Sequence, residues 1–281
     1  MIEWKTTNKN SARIFGRGEN MELVNNESLF AEIETGLERI RKDRTSDIIL
    51  SPFTKDFSLR FCWSSNAIEG NTLSLDETIS LIEYDEVRAG HTYTEYHDAK
   101  NLYQAIQELL VPFQRQQITE EWIKKANGII LGKQGEYRKG DVYIGSLAEV
   151  VYYPPEPERV PELMQRFFEK WENTGKGKNL TEIVWQLAEQ HIEFEQIHPF
   201  QDGNGRIGRM LMNQELMNQD LLPIAINPTG KYRQAFQRYE KKGDLSLMIR
   251  QICKAEIEAI QRIQCLVQRR EQSRQQSSKK S

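Results

Sequence analysis

The sequence predicts a mainly α-helical, all-α protein carrying one short β-hairpin. Three observations lead there. Apolar residues recur at helical spacing through most of the chain. Capping signatures precede several of those stretches. Only residues 135–155 change to a Val-, Tyr- and Ile-rich texture broken by glycine. With 281 residues the chain is long enough for an ordinary core without staples. Its formal net charge of −3 points to neither nucleic acid nor a membrane as partner. Cys62, Cys253 and Cys265 are isolated, with no metal-ligand or redox spacing, and all three read as buried thiols of a reducing compartment. The start "MIEWKTTNKN" has no apolar signal-like region, and no run approaches the ~18 apolar residues of a membrane span. The expectation is a cytoplasmic protein.

Residues 1–54 form an N-terminal extension with no assigned structure. An amphipathic helix is expected over 55–68, with Gly70 as its C-terminal cap. "SLDETISLIEYDEV" opens with Ser74 and Glu77 at capping-box spacing. Tyr96, Tyr103, Ile106 and Leu110 share a helical face. Thr119 is an N-cap, with Ile118 and Ile123 spaced as a hydrophobic staple. The hairpin follows, ended by Pro154 and Pro155. Helices return at "PELMQRFFEKWEN" and at "NLTEIVWQLAEQHIEFEQI", where Asn179 and Glu182 make a second capping box and Ile183, Leu187 and Phe194 an apolar stripe. "IGRMLMNQELMNQ" and "KYRQAFQRYEKKG" continue the helical pattern. Leu245, Ile249, Ile252, Ile260, Ile263 and Val267 then mark one or two long helices, with no winged helix. The basic end from Arg269 to Lys280 reads as a frayed or disordered tail.

The stretch "EQIHPFQDGNGRIGRM", residues 195–210, is the one in which chemistry concentrates. The preceding helix ends near Ile197, because Pro199 cannot continue it. The next is expected to start near Arg206, which puts Gly203, Asn204 and Gly205 at a helix N-terminus. Free backbone N–H groups and the helix dipole favour an anion there, and glycine lets a phosphate approach closely. Arg206 and Arg209 are expected in the first turn, where a cation is disfavoured by roughly 0.3–1 kcal/mol. Two such charges side by side anticipate a polyphosphate, which arginine binds with its fork. Asp202 beside a polyphosphate makes sense if Mg2+ lies between them. His198, with an ordinary pKa of ~6.5, is the candidate base, and Phe200 the candidate anchor of the loop.

"HPFQDGNGRIGR" resembles the complete signature of the Fic-domain family, and "GEYRKGDVYIG…YYPP" is similar to that family's flap hairpin. The resemblance covers residues 55–250, leaving 251–281 as a C-terminal helix and basic polar tail. It implies a protein adenylyltransferase: AMP passes from ATP, with Mg2+, to a Ser, Thr or Tyr hydroxyl of a target protein, and pyrophosphate leaves. On this sequence it makes His198 the base and Asp202 the metal ligand. Gly203, Asn204, Gly205, Arg206 and Arg209 would hold the phosphates. Val142, Tyr143, Ile144 and Gly145 would dock the target backbone as an added strand.

"SSNAIEGN" places Ser65 and Glu69 four residues apart on one helical face, with Glu69 at the helix C-terminus, where a negative charge is disfavoured. Many Fic proteins carry a similar Ser/Thr-x-x-x-Glu-Gly pattern on an inhibitory helix. The resemblance therefore implies that Ser65, Glu69 and Gly70 form a built-in inhibitor in which Glu69 pairs with Arg209 and keeps it from the γ-phosphate. Two alternatives stay open: removal of AMP with Glu69 as a working group, and a nucleotide-binding regulator without turnover. A homodimer also stays open. The target is not readable.

Overall fold

One helix is buried along nearly its whole length, and the other elements pack around it. That helix is α8 (Asn204–Asn218), in which every residue from Arg206 to Met217 is buried. The structure, a computed structural model, describes residues 24–42, 46–111, 113–145, 150–172 and 178–278. The elements are α1 (Glu27–Lys42), α2 (Ser46–Ile68), α3 (Leu75–Tyr84), α4 (Tyr93–Leu109), α5 (Glu120–Leu131), strands β1 (Ile144–Gly145) and β2 (Val150–Tyr152), α6 (Val160–Trp171), α7 (Leu180–Ile197), α8, α9 (Gly230–Lys242) and α10 (Ser246–Ser278).

Local chemistry sets many of the helix boundaries. Ser74 and Glu77 form the expected capping box at the start of α3, and Asn179 and Glu182 the one at α7. Thr92 and Glu95 make a third at α4 that the sequence reading passed over. Thr119 accepts from the Trp122 amide and caps α5, with Ile118 and Ile123 both buried beside it. Gly70, at φ 103°, turns the chain out of α2.

Two apolar clusters flank the α7–α8 pair. One gathers Phe61 of α2, Ile106 of α4, Ile123 of α5 and Phe167 of α6 against Phe194, Phe200 and Ile207. The other packs α1, α9 and α10 against Leu187, Ile192, Met212 and Leu216. Asn213, inside α8, is satisfied within and just beyond the helix. It donates to the carbonyls of Arg209 and Ile224 and accepts from the Ile224 amide.

Several expectations are corrected. The N-terminal extension contains α1, whose Phe30, Ile33 and Leu37 are buried and whose Gly36 lies flat on Ile260 of α10. Helix α2 begins at Ser46 rather than 55, with Pro52 inside it. Burial of Phe53 and Phe57, both edge-on to Phe113, offsets the lost backbone bond. Helix α10 runs unbroken to Ser278, so the described part of the basic tail is helical. The boundaries drawn after 54 and after 250 therefore fall inside helices. Cys62 and Cys253 are buried, but Cys265 is exposed, while its α10 neighbours Ile263, Leu266 and Val267 pack inward. Strands β1 and β2 pair antiparallel, with Ile144 opposite Tyr152 and Gly145 opposite Val150; residues 146–149 lie outside the described residues. No described helix is long and apolar enough to cross a membrane.

Candidate active site

The site is built on the turn between α7 and α8. His198 ends α7 in the left-handed region, at φ 50°, and Pro199 stops the helix from continuing. Phe200 is fully buried and packs 5.7 Å from the Tyr137 ring, which anchors the loop. Asn204 closes it: its side chain accepts from the Phe200 amide at 2.9 Å and donates to the Phe200 carbonyl at 2.8 Å. From α5, Asn127 donates to the Asp202 carbonyl at 2.9 Å.

The imidazole of His198 has a defined polarity. Its Nδ1 lies 3.2 Å from the Glu195 carbonyl, which can only accept, so Nδ1 carries the proton and Nε2 keeps its lone pair. Burial pushes the ring below its ordinary pKa, and the Arg138 charge adds to that. Both effects favour the neutral form that a base requires.

Helix α8 starts earlier than expected. Gly203, at φ 83°, is the N-cap, with no side chain capping the helix, and Asn204 is the first helical residue. Gly205 and Arg206 then occupy the first turn, while Arg209 falls in the second, beyond the reach of the dipole argument. The two arginines also part ways. Arg206 is buried and turns to Asp98 at 3.3 Å and Asp202 at 3.4 Å, so it does not line the cavity described below. Asp202 is exposed, and no cluster of three or more metal-ligating side chains exists among the described residues.

Arg209 is 2% exposed and fully engaged. Its Nε donates to the Ser65 hydroxyl at 2.8 Å. Its Nη2 donates to the Ser65 carbonyl at 2.9 Å and to Glu69 Oε1 at 2.6 Å. The Glu69 carboxylate sits directly over Gly205, where an added Cβ would meet Oε1 at 2.2 Å. A carboxylate of the chain itself thus lies at the glycine where an anion is expected to approach α8. His198, Glu69, Gly205 and Arg209 all line one cavity of about 550 Å3. Ile144 and Tyr152 of the hairpin form another wall, and Tyr232, Arg233 and Gln237 of α9 a third. Val142 and Tyr143 precede the strand pair, with Tyr143 45% exposed.

The comparisons fit this geometry. The Fic/DOC family model matches residues 117–216. The chain is 31% identical over 204 residues to the protein adenylyltransferase Fic of Drosophila persimilis, covering 70% of this chain and 39% of that protein. The Drosophila melanogaster protein of the same name is also 31% identical over 204 residues, with 70% and 40% covered. The chain thus spans about two fifths of the length of these relatives. Among solved structures, a Fic-domain-containing signaling protein from Bacteroides thetaiotaomicron superposes with a TM-score of 0.71 at 22% identity, covering 84% of this chain and 95% of that one. Fic-1 from C. elegans gives 0.72 at 23% identity, covering 86% and 73%.

The chain belongs to the Fic/DOC family.

Around the Fic motif, four residues escaped the sequence reading. Arg138 is buried and donates through Nε to the His198 carbonyl at 2.8 Å. Tyr232 takes a bond from Arg209 Nη1 at 3.4 Å, and its hydroxyl lies 2.6 Å from His191 Nε2. Burial drives the His191 pKa down to about 3, so that ring is neutral and accepts from the tyrosine. Glu195 is buried with Oε1 unpartnered among the described residues, and burial pushes its carboxyl up to about 8. That shift favours the neutral form, in which Glu195 competes less with Glu69 for Arg209. Glu195 lies within the quoted motif stretch, and its position three residues before His198 was the available signal.

Proposed function

We propose that this Fic protein transfers AMP from ATP to a Ser, Thr or Tyr hydroxyl of a target protein and that Glu69 holds it in an inhibited state. The observation that carries the reading is the meeting, in one cavity, of a neutral histidine with a free Nε2, a glycine-floored helix start and a buried arginine. The relatives' printed name, protein adenylyltransferase Fic, supports the same chemistry. The target oxygen attacks the α-phosphorus, its proton passes to His198 Nε2, and the bond to pyrophosphate breaks. The N–H groups of the first turn of α8 and the guanidinium of Arg209 stabilise the phosphate charge. Asp202, exposed and able to offer an oxygen, suits the single-carboxylate mode in which Mg2+ binds nucleotide phosphates and neutralises their charge. Arg206, paired with Asp98 and Asp202, contributes by fixing Asp202 rather than by touching phosphate. The edge of the short hairpin is the place for a target backbone to add as a strand.

In the resting arrangement, Arg209 is held by Ser65 and Glu69 and is not free for the γ-phosphate. A nucleotide bound without that contact is misaligned for in-line attack. The test is to incubate purified variants with labelled ATP. Glu69→Gly is expected to raise AMP transfer, self-modification included, and His198→Ala to abolish it in that background. A Glu69→Gly protein no more active than wild type sinks the inhibitory assignment. The reverse reaction draws on one further fact: Glu69 is only half-buried and faces the same cavity as His198. If removal of AMP is the physiological reaction, Glu69→Gly loses it.

A further inference from the structure

Arg138 lies at the start of the stretch that resembles the flap hairpin, and neither the motif loop nor the Ser65–Gly70 pattern assigns it a role. Arg138 is 4% exposed, and all three nitrogens of its guanidinium donate to backbone carbonyls. Nε donates to His198 at 2.8 Å, Nη1 to Gly140 at 3.2 Å, and Nη2 to Pro155. Its own amide donates to the Pro199 carbonyl at 2.9 Å. Gly140 and Pro155 are the two ends of the segment that carries β1 and β2. His198 and Pro199 are the turn that carries the base. One side chain therefore ties both roots of the hairpin to the backbone of the histidine.

We infer that Arg138 is a positioning residue that couples the hairpin to His198, so that target docking and alignment of the base are set by one guanidinium. The inference rests on the proposed roles of His198 and of the hairpin. Its physical grounds are independent of those roles. No carboxylate lies within ion-pair distance of Arg138 among the described residues; Asp141 and Glu158 act on it only at longer range. A buried charge without a close counter-ion is costly, and an apolar side chain of similar size commonly packs as well or better. What an apolar side chain cannot do is bridge three carbonyls from two separate segments, which the planar fork of arginine does in one fixed geometry. His198 needs such support, because a non-glycine residue in the left-handed region persists only where its surroundings hold it. A strand added along the hairpin edge pulls on Gly140 or Pro155, and the guanidinium passes that displacement to the His198 carbonyl. The charge also acts through space: beside the imidazole it disfavours protonation, with Glu69 and Asp202 acting in the opposite sense.

The experiment compares Arg138→Met and Arg138→Lys, both in the Glu69→Gly full-length protein. Three quantities are read: ATP affinity by calorimetry, kcat for AMP transfer, and, by NMR, the titration of His198 with the exchange of the hairpin amides. For Arg138→Met the expected result is unchanged ATP affinity and a kcat lower by roughly 100-fold, the cost of misplacing a reacting group by about 1 Å. His198 then titrates at higher pH, and the amides around 140–145 exchange faster. Arg138→Lys returns the His198 titration towards the parent value but little of kcat, because one ammonium cannot span three carbonyls. If Arg138→Met loses the fold, Arg138→Lys decides alone, and an unchanged kcat in that folded variant overturns the coupling. If Glu69→Gly itself transfers no AMP, the proposed function falls. The NMR arm still decides, since unchanged His198 titration and unchanged hairpin exchange in Arg138→Met overturn the inference.

Discussion

Gly205 is a residue whose identity is fixed by what lies above it. The Glu69 carboxylate comes so close that even a methyl group would collide with it. The same vacancy in side-chain volume is what a phosphate would need. The contact is backed by Ser65, which gives Arg209 both a hydroxyl and a carbonyl, and by Arg233, which donates to the Ile68 carbonyl at the end of the same helix. Removing one of these ties loosens the clasp without opening it. Ser65→Ala deletes a hydrogen bond to a charged group, worth about 1.5–3 kcal/mol when made inside a protein. The carbonyl and Glu69 remain. The AMP-transfer rate of Ser65→Ala is accordingly expected to lie between wild type and Glu69→Gly in the same labelled-ATP assay. A rate equal to wild type means that the hydroxyl does not help to restrain Arg209.

Helix α1 shows what the packing of a single element requires. Gly36 lets it press against Ile260, where an added Cβ would come within 2.6 Å of Cγ2. Gly36→Val forces the pair apart and is expected to cost about 1–3 kcal/mol, as overpacking generally does. Thermal unfolding should register that loss while ATP affinity stays at the parent value, because α1 contributes nothing to the cavity lining. This helix also marks the limit of what was legible in the sequence. Capping boxes at Ser74 and Asn179 are decided within four residues, so they could be read directly. The motif loop was legible for the same reason: a proline, two glycines and a base sit within a few positions. Helix α1 and the first turns of α2 hold their place through partners far along the chain, Ile260 and Phe113. Arg206 could not be separated from Arg209 without knowing that Asp98 waits on α4. Arg138 was invisible because all its side-chain partners are backbone carbonyls, which leave no mark in the sequence.

At the scale of the molecule, two cores share the α7–α8 pair, and each has a carboxyl next to it that would rather stay protonated. Glu195 and Glu256 are both pushed up to about 8 by burial. A carboxyl raised above its unfolded value of 4.5 lends stability that is whole below that value and is lost as pH rises towards 8. The melting temperature should therefore fall between pH 5 and pH 8. Glu256→Gln tests this away from the site. The amide keeps an acceptor for the Leu222 N–H and cannot ionise, so the decline should become shallower by roughly 2–4 °C for each kcal/mol removed. An unchanged slope would assign the pH dependence elsewhere. The same tertiary scaffold sets the character of the proposed inhibition. Glu69 and Arg209 are 140 positions apart in the chain, but folding makes their encounter intramolecular, at an effective concentration of roughly millimolar or above. A restraint of that kind is unimolecular. Neither dilution nor a change in protein abundance alters it, and in the proposed reaction the γ-phosphate of a bound nucleotide would compete for Arg209 with a carboxylate that never diffuses away. Under the proposed inhibition, release has to come from something that moves or bends the end of α2, and sensitivity to the surroundings would then reside in the stiffness of one helix.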